Sequence, residues 1–322
     1  KLVNLDSEEE GIFTVSCAGG VRLDCFLPGV PSPLNGETGY TLTLEGLLGG
    51  HSGAEIHKGR ASANQVMGRV LYSAAEAFPG LRLTDIRGGR FDNVICSSNQ
   101  AQAAVPADRA GEFEAFIREF DAILKNEYAG CDPGVTLRCE KAALDRALPQ
   151  AETENLLRAL LAVPQGVQAM SADFPGLVQT SLNLGVMELR EDGLHFSLSV
   201  RSCIASQKAM MVQRLRAILA LGGGTMSQRG DYPGWQYDRN SALRRDILEV
   251  YQAVTGKEGV IEATHGGLEC GLFIEKMPGL DAVSCGPELR DIHSVQERLN
   301  VASTRRVYEM TCALLKKSGP KA

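Results

Sequence analysis

The chain has 322 residues, 44% of them hydrophobic and 22% charged, which is enough for two ordinary domains with cores of their own. A formal net charge of −6 disfavours a nucleic-acid partner, which would need a basic face. No apolar run approaches the ~20 residues that span a bilayer, and the first residues lack the basic-then-apolar pattern of a signal peptide.

The chain opens Lys1-Leu2-Val3-Asn4-Leu5, without an initiator methionine and already inside what reads as a buried strand. Such a strand needs neighbours, which an α/β domain normally supplies from upstream, so residue 1 is expected to be a break in a longer protein. Short apolar stretches at 2–5, 12–16 and 21–26, parted by turns at Gly11 and Gly19-Gly20, predict three successive strands. Pro28-Gly29-Val30-Pro31-Ser32-Pro33 reads as a linker.

From Tyr40 a new pattern begins. Strands are expected at 41–45, 81–86, 93–97, 101–105 and 135–139, and helices at 61–77 and 112–128, the second with Phe113, Phe116, Ile117, Phe120 and Leu124 on one stripe. A helix at 152–161 leads into strands at 177–189 and 194–201, a helix at 208–221 and a strand at 225–228. Strand-helix-strand-strand-helix-strand is the ferredoxin-like order, and a variant of it occurs twice between about 38 and 230. After Trp235 the alternation is that of an α/β domain: helix 242–255, strand 260–263, a glycine-rich turn, strand 280–285 and helix 304–315. The layout expected is an α/β body made of residues 1–32 and 234–322, interrupted by an α+β lid at 33–233.

Nine cysteines form no CxxC pair and no regular spacing, which reads as reduced thiols in the cytoplasm rather than as a disulfide framework. There are five histidines. Asp6 follows an apolar strand, where ligands of open α/β sheets gather, and could bind a metal; it could equally be one of several solvated acids in a strand-end turn. His293 lies just after the strand expected at 280–285, as a metal ligand with a second partner or as an ordinary loop histidine. His51, in Gly49-Gly50-His51-Ser52-Gly53, stands where little backbone bulk would keep it from polarising a carbonyl oxygen, or is simply a turn residue.

Five segments in order resemble the aminoacyl-histidine (Xaa-His) dipeptidases, of the co-catalytic zinc metallopeptidase family that includes carnosinase. They are Asn4-Leu5-Asp6-Ser7-Glu8-Glu9-Glu10-Gly11, Gly49-Gly50-His51-Ser52-Gly53-Ala54-Glu55-Ile56-His57, Asp92-Asn93-Val94-Ile95, Gly266-Gly267-Leu268-Glu269-Cys270-Gly271 and Gly286-Pro287 through His293-Ser294. The resemblance implies a zinc-peptidase α/β catalytic domain interrupted by a lid that dimerises, giving a homodimer acting on small dipeptides. It implies two Zn2+ ions, with Co2+ or Mn2+ as substitutes, Asp6 binding one and His293 the other. His51 would reach the substrate carbonyl, within one chain or across the dimer. Asn93 would help hold the substrate, Arg201 would receive its terminal carboxylate, a match to a planar guanidinium, and Gly267 and Glu269 would line the pocket.

The family also uses a His-x-Asp motif, a bridging aspartate and a Glu-Glu pair, all upstream of the segment that begins at Asn4. Asp6 and His293 alone give each zinc one protein ligand, where catalytic sites usually have about three, so these residues by themselves are expected to hydrolyse little. Alternatives are an aminotripeptidase, an amide deacylase, and a non-catalytic dimerising homologue.

Overall fold

The computed structural model describes residues 1–292 and 294–318. In chain order it holds β1 (Leu2–Asn4), β2 (Ile12–Cys17), β3 (Gly19–Pro28), β4 (Thr38–Glu45), α1 (Ala63–Ala77), β5 (Arg82–Gly88), β6 (Asn99–Val105), α2 (Ala110–Glu127) and β7 (Thr136–Ala142). There follow α3 (Gln150–Ala162), β8 (Gly166–Met170), β9 (Val178–Arg190), β10 (Gly193–Ser202), α4 (Ala205–Leu221) and β11 (Thr225–Tyr232). The last third contains α5 (Ala242–Thr255), β12 (Val260–Thr264), α6 (Cys270–Lys276), β13 (Ala282–Ser284) and α7 (Val301–Ser318). Among the described residues no helix is long and apolar enough to cross a membrane.

Two sheets result. The body sheet has four strands in the order β1-β13-β2-β12, with β1 parallel to β13 and β12 parallel to β2. The lid sheet has nine strands, ordered β7-β4-β6-β5-β9-β10-β3-β11, with β8 also on β9. The first four strands of that order and helices α1 and α2 make one ferredoxin-like unit. The second unit takes β9, β10, β11, α3 and α4 from the end of the lid, but its first strand is β3, from before the first unit. One ferredoxin-like unit is thus inserted into the other.

This corrects the division read from sequence. Residues 19–28, placed by sequence with the body segment 1–32, pair with β10 from Gly19↔Ser202 to Pro28↔Gly193 and with β11 on the other side. The chain crosses from body to lid at residues 17–19 and back at 232–235. The stretch 28–33 is therefore not the linker between the two, and Ser32–Pro33 instead pairs with Arg146–Ala147. The reason is long-range register: nothing within residues 19–28 tells which of two sheets a short strand will join. The glycine-rich turn after β12 also runs into a short helix, α6, absent from the expected elements although Glu269 suits a helix start, and its seven residues follow Glu269 as the N-cap.

Alternation along the lid strands sets up the site. Val21, Leu23, Cys25 and Leu27 of β3, Leu182 and Leu184 of β9, and Phe196, Leu198 and Val200 of β10 enter the core beneath the helices. Because strand side chains alternate, the other face carries Gly20, Arg22 and Asp24, Ser181 and Asn183, and Ser197, Ser199 and Arg201. That face is polar; Ser197 Oγ donates to Asp24 Oδ1 at 2.7 Å, for example. The body core, with Phe13, Val15, Ile247, Tyr251, Val283 and Met310, is separate.

Candidate active site

His51 stands on a loop of residues 48–61 tied down at both ends. Asp132, fully buried, accepts the Leu48 N–H at 2.7 Å with one carboxylate oxygen and the Ala61 N–H at 2.8 Å with the other. Gly49 and Gly50 have φ of 63° and 137°, a backbone path that side-chain-bearing residues rarely adopt. That path delivers His51 into a two-residue pairing with Val94. Glu55 accepts the His51 N–H at 2.9 Å. The Lys58 ammonium, then that backbone N–H, hold the Glu55 carboxyl down to about 2. The His51 ring accepts at Nδ1 from the N–H groups of Gly53 (3.2 Å) and Ala54 (3.1 Å). Its neutral form therefore carries the proton on Nε2, leaving an exposed ring with its donor facing outward from this turn.

Asn93 is adjacent, on the turn that precedes the other strand of the pairing, and its carbonyl accepts the Ser52 N–H at 2.9 Å. Arg201 comes in from β10. A Cβ at Gly53 would sit 3.0 Å from His51 Cε1 and 3.2 Å from Arg201 Cζ, so the imidazole and the guanidinium close in on this position and a side chain there would crowd both. Arg201 Nη1 donates to Tyr232 Oη at 3.3 Å, while its buried Nε has no hydrogen-bond partner in the structure. The Tyr232 ring lies between Gly20 of the lid and Gly267 of the body, which a Cβ would approach to 2.7 and 2.8 Å of ring atoms. The Gly266–Glu269 turn is thus brought beneath the lid residues. Ala18 N–H donates to the carbonyl of Gly266 at 2.9 Å and helps fix the turn.

On the body side, Asn4 is buried at the end of β1 and donates from Nδ2 to Glu269 Oε1 at 2.7 Å, while its Oδ1 accepts the Asp6 N–H at 2.7 Å. Asp6 and Glu269 are both exposed at this carboxyl end of the sheet, and Asn4 couples them.

Several residues here carry little or no signal in the sequence. His265 is 7% exposed and shares a 2.8 Å hydrogen bond between Nε2 and Ser181 Oγ, across the junction of body and lid. Burial first, then the charge of Arg201, pushes its imidazole down to about 4. Asp132, Ser181 and Tyr232 are found only by folding the chain. Histidine near a glycine-rich turn was the one available hint for His265.

The residues matched to the family description "Peptidase dimerisation domain" are 42–131, which includes the His51 loop and Asn93. Over 318 residues the chain is 37% identical to the cytosol non-specific dipeptidase of Escherichia coli (strain K12), covering 98% of this chain and 65% of that protein. The crystal structure of aminoacylhistidine dipeptidase from Vibrio alginolyticus superposes with a TM-score of 0.93 at 33% identity, covering all of this chain and 66% of that one. The chain belongs to the M20 peptidase family. It spans about two thirds of the length of these two M20 relatives, 65% and 66%.

Within this M20 chain the expected recognition residues His51, Asn93, Arg201 and Gly267 gather at one junction, with Glu269 two positions further along the same turn. The expected metal ligands do not complete a centre. His293 lies outside the described residues. Asp6 offers one carboxylate, and among the described residues no group of three or more His, Cys, Asp or Glu side chains is placed to hold a metal ion. Taken alone, the described donor set does not fit the two-zinc centre that the resemblance implies.

Proposed function

We propose that this chain is the substrate-recognising part of an M20 dipeptidase that hydrolyses the peptide bond of dipeptides, preferentially Xaa-His and including β-alanyl-histidine. The observation that carries the reading is Arg201: a half-buried guanidinium with an unpartnered Nε, beside His51 and hydrogen-bonded to the Tyr232 that packs on Gly267. A buried donor without an acceptor is costly, and a free carboxylate satisfies it in the geometry that guanidinium favours. An N–H that can donate to a carbonyl oxygen, next to a carboxylate clamp, suits a substrate whose scissile bond is one residue from its C-terminus. Both relatives are named as dipeptidases, one of them for aminoacyl-histidine.

In this reading Arg201 binds the terminal carboxylate, Asn93 orients the peptide, and the Gly267 turn, packed under the Tyr232 ring, lines the pocket. His51 Nε2 donates to the carbonyl oxygen as negative charge develops there, which is worth most in the transition state. Asp6 and His293 would each contribute to one of two zinc ions. The protein would act as a cytoplasmic homodimer, in keeping with the dimerisation-domain match.

The test is a substrate panel with the protein expressed from its whole coding sequence and supplied with Zn2+. The panel contains β-alanyl-histidine, other Xaa-His and non-histidine dipeptides, a tripeptide, an N-acyl amino acid, and each dipeptide as its C-terminal amide. Free dipeptides should be cleaved and the amides spared. Arg201→Ala should lower kcat/KM on free dipeptides by about 10²–10³-fold, the worth of a charge-assisted pair, and leave the slow rate on amides unchanged. Preference for the tripeptide or the N-acyl compound would move the assignment to a tripeptidase or deacylase. No turnover of any would leave a non-catalytic dimerising module.

A further inference from the structure

Asn93 sits on a turn whose backbone is fastened from two sides by residues far away in sequence. From below, the Asn183 Nδ2 of β9 donates to the carbonyls of both Asp92 and Val94, each at 2.8 Å, so that one amide spans the turn that carries Asn93. From the flank, Asp92 is clamped by two guanidinium groups. Arg229 Nη2 donates to Asp92 Oδ2 at 2.9 Å, and Arg22 Nε lies 3.2 Å from the same oxygen. Arg229 also donates from Nε to Asp24 Oδ2 at 2.6 Å, which anchors it on β3. That bond holds the Asp24 carboxyl below its usual range despite some burial. The Asp92 side chain is 10% exposed, whereas the two arginines are about half exposed. A carboxylate this buried persists only with partners, and both of its partners come from β3 and β11, the strands at one edge of the lid sheet.

The turn is also seated closely. A Cβ at Gly185, at the bulge of β9, would come within 2.6 Å of the Asp92 Cα, so the turn rests directly on the sheet backbone. Its other edge is the pairing with His51, through Ser52 N–H to the Asn93 carbonyl and the His51↔Val94 register. Any shift of residues 92–94 therefore moves Asn93 and His51 together.

We infer that Asp92, with Arg229 and Arg22, and Asn183 beneath it are positioning residues that hold the His51–Asn93 ribbon against the polar face of the lid sheet in the geometry the substrate requires. The inference rests on the proposed dipeptidase reading for its consequence in catalysis, but its structural half does not. Asp92 touches no reacting group. It acts through the ribbon, where a displacement of about 1 Å can cost on the order of 10²-fold in rate.

Two measurements test it. In hydrogen exchange, Asp92→Ala and Asn183→Ala should each speed exchange of the amides of residues 51–55 and 93–95, with the helices of the lid keeping wild-type protection. Unchanged exchange in the ribbon overturns the inference, and so does a rise spread over the whole lid. In dipeptide hydrolysis by the whole enzyme, each variant should lower kcat by about tenfold or more with a smaller change in KM, and Asp92→Ala should add nothing further when made in His51→Ala. The same loss in both backgrounds overturns it, because Asp92 would then act elsewhere. If the wild-type enzyme hydrolyses no dipeptide, the functional reading fails and the exchange experiment alone decides the positioning.

Discussion

The lid sheet has nine strands with four helices along one face, and its core runs from Val21 to Leu219, whereas the body sheet has four strands and a smaller core running from Phe13 to Leu314. In the lid, one face of β3, β9 and β10 is committed to the core, so the opposite face is free to be polar. Arg201, Ser181, Asn183 and Arg22 are the product of that freedom. In the body, the carboxyl ends of short strands offer Asn4, Asp6 and Ser284, with one acid at the tip of β1 and another at the start of α6. In the proposed reading, the residues that would recognise substrate are held by bonds within this chain, whereas the acids that would carry metal chemistry are isolated groups among the described residues. The two groups of residues can be separated in one polypeptide because each is built on its own core.

The largest test of that separation is on the cores themselves. Leu198, fully buried in the lid, changed to Ala should destabilise the lid by about 2–5 kcal/mol, the range for a buried Leu→Ala. In calorimetry the lid transition should fall while that of the body stays. If both transitions shift together, the lid and body form one cooperative unit and the comparison breaks down.

The next effect lies between the two. His265 belongs to the body turn, hydrogen-bonds Ser181 of the lid, and has its imidazole lowered to about 4 by burial and by Arg201. A histidine in the unfolded chain titrates near about 6.5. Between those values the unfolded state binds the extra proton and the folded state does not, so stability is intact above about pH 6.5 and is lost as pH falls toward 4. The whole shift corresponds to on the order of 3 kcal/mol. Urea unfolding at pH 7 and pH 4.5 should show a steeper loss for wild type than for His265→Gln. Equal slopes would mean that the junction does not hold this imidazole neutral.

Much of the lid was legible from local pattern. The alternation of Leu and Ser in β10 gives both the strand and its polar face, and the apolar stripe from Phe113 to Leu124 gives α2. Gly49-Gly50 before His51 marks a special backbone, and the structure shows the positive φ angles that require it. Long-range pairing was not legible. The membership of β3 in the lid depends on strands about 170 residues later, as in Ser197 to Asp24 with a separation of 173. Asp92 and Arg229 are 137 positions apart, and Asp132 is 84 from the Leu48 that it holds. No periodicity links such pairs, since only the finished sheet sets them side by side. For the same reason the resemblance named His51, Asn93 and Arg201 but not what holds them in place.

The smallest effect probes the body alone. Asn4 is buried, accepts the Asp6 N–H, and donates to Glu269 and to the Cys270 sulfur. Its partners at the surface can turn to water: Glu269 and Asp6 are both exposed. Asn4→Ala therefore removes hydrogen bonds without leaving a buried charge, and should cost the body about 1 kcal/mol rather than several. The lid transition should not move, because the hydrogen bonds of Asn4 among the described residues all go to body residues, Asp6, Glu269, Cys270 and Cys285. The two halves of the site should separate in the same variant, with Arg201 and His51 keeping their places while the spacing of Asp6 and Glu269 relaxes. A shift of the lid transition in Asn4→Ala would show that the body end of β1 also supports His51 and Arg201, and the lid and body parts of the site would then not be independent.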